Sequence, residues 1–164
     1  MGFLITGVVD KKEIRIPSEK RFKKGPVAII ECVQRIPCNP CVESCPKSAI
    51  SIKGSINNIP EVDFDLCNGC GSCLANCPGL AIFLVDKNYE ENKATVSVPY
   101  EFRPLPEKGE KVDLLNRSGE ICGKGEVVKV RNARIQDRTP IITLVVDKSL
   151  AMEVRFFRRI SNEQ

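Results

Sequence analysis

At 164 residues, 42% apolar and 28% charged, the chain has the make-up of a globular protein with room for one ordinary domain or two small ones. It has nine cysteines but no histidine, which excludes a Ser–His or Cys–His nucleophile pair, a Rieske-type centre and a histidine-bearing zinc site. The formal charge of +4 is uneven: seven Lys/Arg stand against three Asp/Glu over residues 1–30, five against eight over 31–93, and thirteen against ten over 94–164.

The opening stretch, MGFLITGVV, predicts a strand over Phe3–Val9. It lacks the basic n-region of a secretory signal and runs straight into Asp10-Lys11-Lys12-Glu13. No window reaches the ~18 apolar residues of a membrane span, so no direct membrane insertion is expected and the chain reads as cytoplasmic. Cysteines stay reduced there, and clustered thiols point to metal rather than to disulfides. A basic arm, KKEIRIPSEKRFKKG, follows; such a run is either a docking segment or a solvated face.

The middle of the chain repeats itself. CNPCVESCPKSAISI (38–52) aligns with CGSCLANCPGLAIFL (70–84): both read Cys-x2-Cys-x3-Cys-Pro, then Ala-Ile and a β-like run. Each copy has one more cysteine upstream, Cys32 or Cys67. After each copy the chain reads as strand, turn, strand, in AISIKGSINNIPEVDFD and again in AIFLVDKNYEENKATVSV. A Cys-x2-Cys-x2-Cys run such as Cys67, Cys70 and Cys73 wraps three thiolates round one small object, and the fourth cysteine, past the turn, points elsewhere. The proline after it fixes φ and sets where the chain leaves. Gly69 and Gly71 let the backbone approach closely. Two four-cysteine zinc sites would want Cys-x2-Cys pairs, a poor match to these spacings. Cys122, in GEICGKG, has no partner cysteine and reads as a small apolar residue near a turn.

From Pro99 the character changes. Residues 99–109 carry Pro99, Pro104, Pro106 and Gly109 and read as a linker. Beyond it, KVDLLNR, GEVVKVRNARI, PIITLVVDK and MEVRFFRRI read as strands of a small all-β barrel or sandwich. The expected division is an N-terminal strand and basic arm (1–25), a cysteine-rich domain (26–98), a linker (99–109) and a small β module (110–164). Arg131, Arg134, Arg138, Arg155, Arg158 and Arg159 give that module a basic surface suited to docking.

The segment from Ala28 to Val96 resembles a bacterial-type ferredoxin with two 4Fe–4S clusters. The resemblance implies an α+β fold, a ferredoxin-like two-cluster β-α-β pseudo-repeat, here followed by the β module. It also implies ligands: Cys67, Cys70, Cys73 and Cys45 on one cluster, Cys32, Cys38, Cys41 and Cys77 on the other. The first copy departs from the family run, since VQRIP places five residues rather than two between Cys32 and Cys38. Pro40 in that copy lacks the N–H that a glycine would offer to sulfur, so the cluster at Cys32, Cys38, Cys41 and Cys77 is expected to have the lower potential.

The extra segments on both sides favour a subunit over a free carrier. The layout is similar to the small iron–sulfur subunits of multi-subunit flavin-dependent amino-acid or imino-acid dehydrogenases. That likeness implies FAD or FMN on a partner flavoprotein subunit, a downstream electron acceptor, and no catalytic site on this chain. A free-standing ferredoxin with an extra domain is the alternative. A nucleic-acid-binding iron–sulfur protein is more remote: only Phe156 and Phe157 offer rings for base stacking, and no nucleic-acid partner is expected.

Overall fold

A computed structural model describes residues 2–132 and 139–160. Its main body is one seven-stranded antiparallel sheet in the order β1-β4-β5-β8-β7-β6-β9. The strands are β1 (Val27–Ile30), β4 (Ile82–Asp86), β5 (Lys93–Pro99), β6 (Lys111–Leu115), β7 (Ile121–Arg131), β8 (Ile141–Asp147) and β9 (Phe156–Arg159). A separate ribbon pairs β2 (Ile50–Ser51) with β3 (Glu61–Val62). Among the described residues the α-helices are single turns, α1 (Phe3–Thr6), α2 (Glu19–Phe22), α3 (Pro40–Glu43) and α4 (Ser72–Asn76), with 3-10 turns at Lys11–Glu13 and Lys148–Leu150.

The expected α+β fold, a ferredoxin-like β-α-β pseudo-repeat followed by its own barrel or sandwich, is therefore corrected. The cysteine loops repeat, but the strands after them do not. β2 and β3 pair only with each other, two residues long, whereas β4 is flanked by β1 and β5. The helical turns are too short to cross a sheet, because the chain there is bent around the cysteines. The C-terminal strands form where their β-branched runs fall, yet they join the same sheet: β5 pairs with β8 from Lys93↔Asp147 to Pro99↔Ile141. β5 carries fully buried Ala94, Val96 and Val98 on one face, and β8 answers with Ile142, Leu144 and Val146. That match of alternating apolar faces overrides the proline-rich break after it.

β1 and β4 are buried on both faces, which explains their unbroken apolar runs VAII and IFLV. Val27, Ile29, Phe83 and Val85 face the main core. Ala28, Ile30, Ile82 and Leu84 face a smaller core that contains Cys41 and Cys73. The outer strands β1 and β9 both serve the main core, and the sheet curls until side chains bridge its two edges. Glu31, just past β1, accepts Arg117 Nε at 3.0 Å, Arg117 Nη2 at 2.6 Å and Arg155 Nε at 2.6 Å. All three side chains are 10% exposed or less.

At the N-terminus, the strand expected over Phe3–Val9 is instead the single turn α1, closed by Gly7 at φ +70°. Leu4 and Ile5 are exposed, so no neighbouring strand rewards extension there. The basic arm is folded onto the body. Asp10 and Glu13 form a capping box, Ser18 caps α2, and Phe22 is buried in the main core. The C-terminal arginines are mostly committed internally too. Arg155 pairs with Glu31, Arg158 with Asp113 and Arg159 with Glu110; Arg134 and Arg138 lie outside the described residues. Phe156 and Phe157 both stack on Tyr100, with ring centroids 5.9 and 5.2 Å away, and Phe157 is buried, so these rings serve the core.

Candidate metal centre

The two cysteine runs fold alike. In each, Cys-Pro opens a tight turn: Ser48 N–H donates to the Cys45 carbonyl at 3.1 Å, and Leu80 N–H to the Cys77 carbonyl at 3.2 Å. Proline suits the second position of such a turn because its φ is already set. Ser48 and Leu80, at equivalent places, both take left-handed φ, 50° and 52°. That twist aims the next amide back at the cysteine. Ala49 N–H donates to Cys45 Sγ at 3.2 Å, and Ala81 N–H to Cys77 Sγ at 3.4 Å.

Two cavities result, each lined by four cysteines. Cys32, Cys38, Cys41 and Cys77 line the first, closed by Ile30, Ile36, Pro60, Pro78 and Ile82. Cys45, Cys67, Cys70 and Cys73 line the second, beside Ala28, Gly69, Gly71 and Leu84. Each run thus sends its last cysteine to the other run's cavity, across the packed turns α3 and α4. The loop Val33–Pro37 brings Cys32 to the first cavity in spite of its extra length. Cys122 stands apart. Its thiol faces the Leu114 carbonyl at 3.6 Å, packs against the main core, and is pushed up by burial.

The donor set fits an iron–sulfur cluster better than a lone ion. Among the described residues, no three Cys, Asp or Glu side chains converge tightly enough to hold one metal ion. Zinc would draw four sulfurs to ≈ 2.3 Å of a point, whereas here they ring a space. Burial, followed by the neighbouring Cys77, pushes the Cys41 thiol up to about 11; burial, followed by Cys67 and Cys70, pushes Cys73 up to about 12. The Cys32 thiol is also raised, by burial first and Cys77 second. Four crowded thiolates need a cationic core in their midst, and a coordinated thiol loses its proton to one.

Gly69 is fixed by its surroundings. Its φ is +69°, and an added Cβ would lie 2.7 Å from the Pro26 carbonyl oxygen and ring. Gly69→Ala is expected to cost about 1–2 kcal/mol from the left-handed backbone alone, before the overlap with Pro26. A lowered denaturation midpoint, with loss of iron from the second cavity, checks it.

Two basic residues at the second cavity carry no signal in the local cysteine spacing. Arg21 is 6% exposed, and its guanidinium donates to the carbonyls of Gly25 (3.1 Å), Pro26 (3.0 Å), Cys67 (2.6 Å) and Phe64. Arg131, at the end of β7, donates to the Cys70 carbonyl at 3.1 Å. In the sequence Arg21 reads only as part of the basic arm, and Arg131 only as one of several C-terminal arginines.

The 4Fe-4S dicluster domain family matches residues 31–81. A ferredoxin-type protein NapF of Haemophilus influenzae is 41% identical over 61 residues, covering 36% of this chain and 35% of that one. An uncharacterized ferredoxin of Methanocaldococcus jannaschii is 38% identical over 86 residues, covering 52% and 51%. Pyruvate synthase subunit PorD of Methanothermobacter marburgensis is 40% identical over 47 residues, covering 29% and 51%. The chain thus spans about a third to a half of the length of these relatives. No solved structure matches it. The family match falls on the cysteine-rich segment and the relatives include ferredoxins, and this chain carries there a bacterial-type 4Fe–4S ferredoxin domain, an iron–sulfur electron-carrying module.

Proposed function

We propose that the chain carries electrons through two 4Fe–4S clusters as a fixed subunit of a larger oxidoreductase. Cys32, Cys38, Cys41 and Cys77 hold one cluster, and Cys45, Cys67, Cys70 and Cys73 the other. The pair of four-cysteine cavities with a crossed cysteine in each carries this reading. A fully thiolate-ligated cluster has no position open to substrate; what it supplies when bound is the uptake and release of one electron.

The chain's own residues hold and shield the two sites. Cys45 and Cys77 tie each site to the other run, so neither can move away from its neighbour. Ile30, Ile82, Ala28 and Leu84 back both sites with apolar surface, which keeps water from that side. Cys41 and Cys73 are buried, while Cys70 is exposed and brings the second site to the surface. A partner meeting that face is close to a ligand.

Substrate chemistry belongs to the partner, because eight cysteines are committed to the two sites, Cys122 packs against the main core, and no histidine exists to activate a nucleophile. A flavoprotein carrying FAD or FMN suits the task, since flavin takes two electrons and passes them on singly. The subunit reading draws support from PorD, whose name makes it part of a pyruvate synthase. An anaerobic pull-down from native cells, with flavin assayed on the product, tests it. A co-purifying flavoprotein is the expected result. A lone chain exchanging electrons with several reductases would mean a free ferredoxin.

A further inference from the structure

Burying a guanidinium away from any carboxylate is costly, because backbone carbonyls return only part of its lost hydration. Arg155 and Arg117 meet that cost through Glu31. Arg21 does not: among the described residues no Asp or Glu is paired with it, and its partners are all carbonyls, one of them that of Cys67. The negative charge beside it is the thiolate set of the second cavity. Arg131 adds a second cation beside that cavity, in an adjoining one that shares Cys70 and Gly71, lying so close over the chain that a Cβ on Gly71 would overlap its guanidinium. Lys47 lines the same cavity.

No Lys, Arg, Asp or Glu is among the described residues lining the first cavity; Arg15, in a neighbouring cavity that shares Cys32, is paired with Glu61, and Arg35 on the loop is exposed to solvent. The Glu31, Arg117 and Arg155 group does not redress the balance. Glu31, one residue past β1, continues the alternation of Val27 and Ile29 toward the main core, where its partner Arg155 lies over the Phe83 ring, while Ala28 and Ile30 face the cysteines.

We infer that Arg21 and Arg131 are the built-in countercharge of the second site and make its cluster the higher-potential of the two, the one that takes and keeps the first electron. The inference rests on the two-cluster reading above. Adding an electron makes an anionic centre more so, and a cation held nearby out of water favours that reduced state. The asymmetry gives the module a direction: an electron arriving at the first site moves on to the second, whose exposed Cys70 faces outward. Arg21 and Arg131 act through the field at the sulfurs, as positioning charges rather than ligands.

An anaerobic redox titration followed by EPR, on full-length wild type, Arg131→Gln and Arg21→Gln, tests this. Wild type should show two distinct midpoints. Arg131→Gln should lower the higher one by the equivalent of about a tenfold change in reduced-to-oxidised ratio, about 59 mV for a one-electron couple, and leave the lower one in place. Arg21→Gln should do the same or more, and Arg21→Lys should restore much of the shift. If Arg21→Gln fails to load iron because four carbonyls lose their donor, Arg131→Gln decides alone, since Arg131 is only partly buried. Both midpoints unmoved at full iron and sulfide content, or movement of the lower one, overturns the inference. A wild type without about eight irons and eight sulfides would overturn the two-cluster reading instead.

Discussion

Cys77→Ala should remove the iron of the site formed by Cys32, Cys38 and Cys41 and spare the site formed by Cys67, Cys70 and Cys73, although Cys77 lies in the second run. Its sulfur lines the first cavity, held there by the turn at Pro78 and the Ala81 amide. Iron per chain should fall from about eight to about four. Partner choice is read from double variants. Cys77→Ala with Cys38→Ala should lose no more iron than either alone, because both strike one site; Cys77→Ala with Cys67→Ala should lose nearly all of it. Residues acting in one unit are non-additive, and those in separate units add. The reverse pattern would mean that each run serves its own site.

Glu31→Gln should destabilise the fold by about 3–5 kcal/mol, the usual consequence of breaking a buried ion pair from one side. That is a large share of the ~5–15 kcal/mol available to a domain. Arg155 stays charged at neutral pH. Burial pulls the Arg155 guanidinium down to about 10 from its ordinary 12.5, with Glu31 pulling the other way. A cation whose folded value lies below its unfolded one is a cost that is fully present below about pH 10 and fades as pH rises toward 12.5, where the unfolded chain binds more protons. Glu31 offsets that cost across the neutral range. Without it two buried guanidinium groups face each other, and the edges of the sheet, at Glu31 and at Arg117 and Arg155, lose their bridge. A urea titration followed by circular dichroism should show a much lower midpoint with an unchanged slope. A change under ~1 kcal/mol would place the pair in the class of solvated surface bridges.

The cysteine chemistry is legible in the sequence because ligation is local. Four thiols within eleven residues, Cys67 to Cys77, can close only certain loops, and the proline after each run has one conformational effect that holds in any setting. The β-branched runs after Pro99 announce strands for the same reason. Pairing is not local. Nothing in LVVDK (144–148) says that its partner is KATVS (93–97) rather than a strand of its own module, and the choice is settled by the buried faces that the two strands share. The short N-terminal run FLIT reads as strand from its composition, yet among the described residues no strand pairs with it, and it closes on Gly7 as a turn. The basic arm and the C-terminal arginines show the same limit. A charge run looks like surface until Arg21 is seen 46 residues away in sequence, and one hydrogen bond away in space, from Cys67.

Counting iron and acid-labile sulfide on the anaerobically purified chain tests the central claim most directly. About eight of each per chain is the predicted result, two 4Fe–4S clusters on eight cysteines. About two zincs with no sulfide would contradict it.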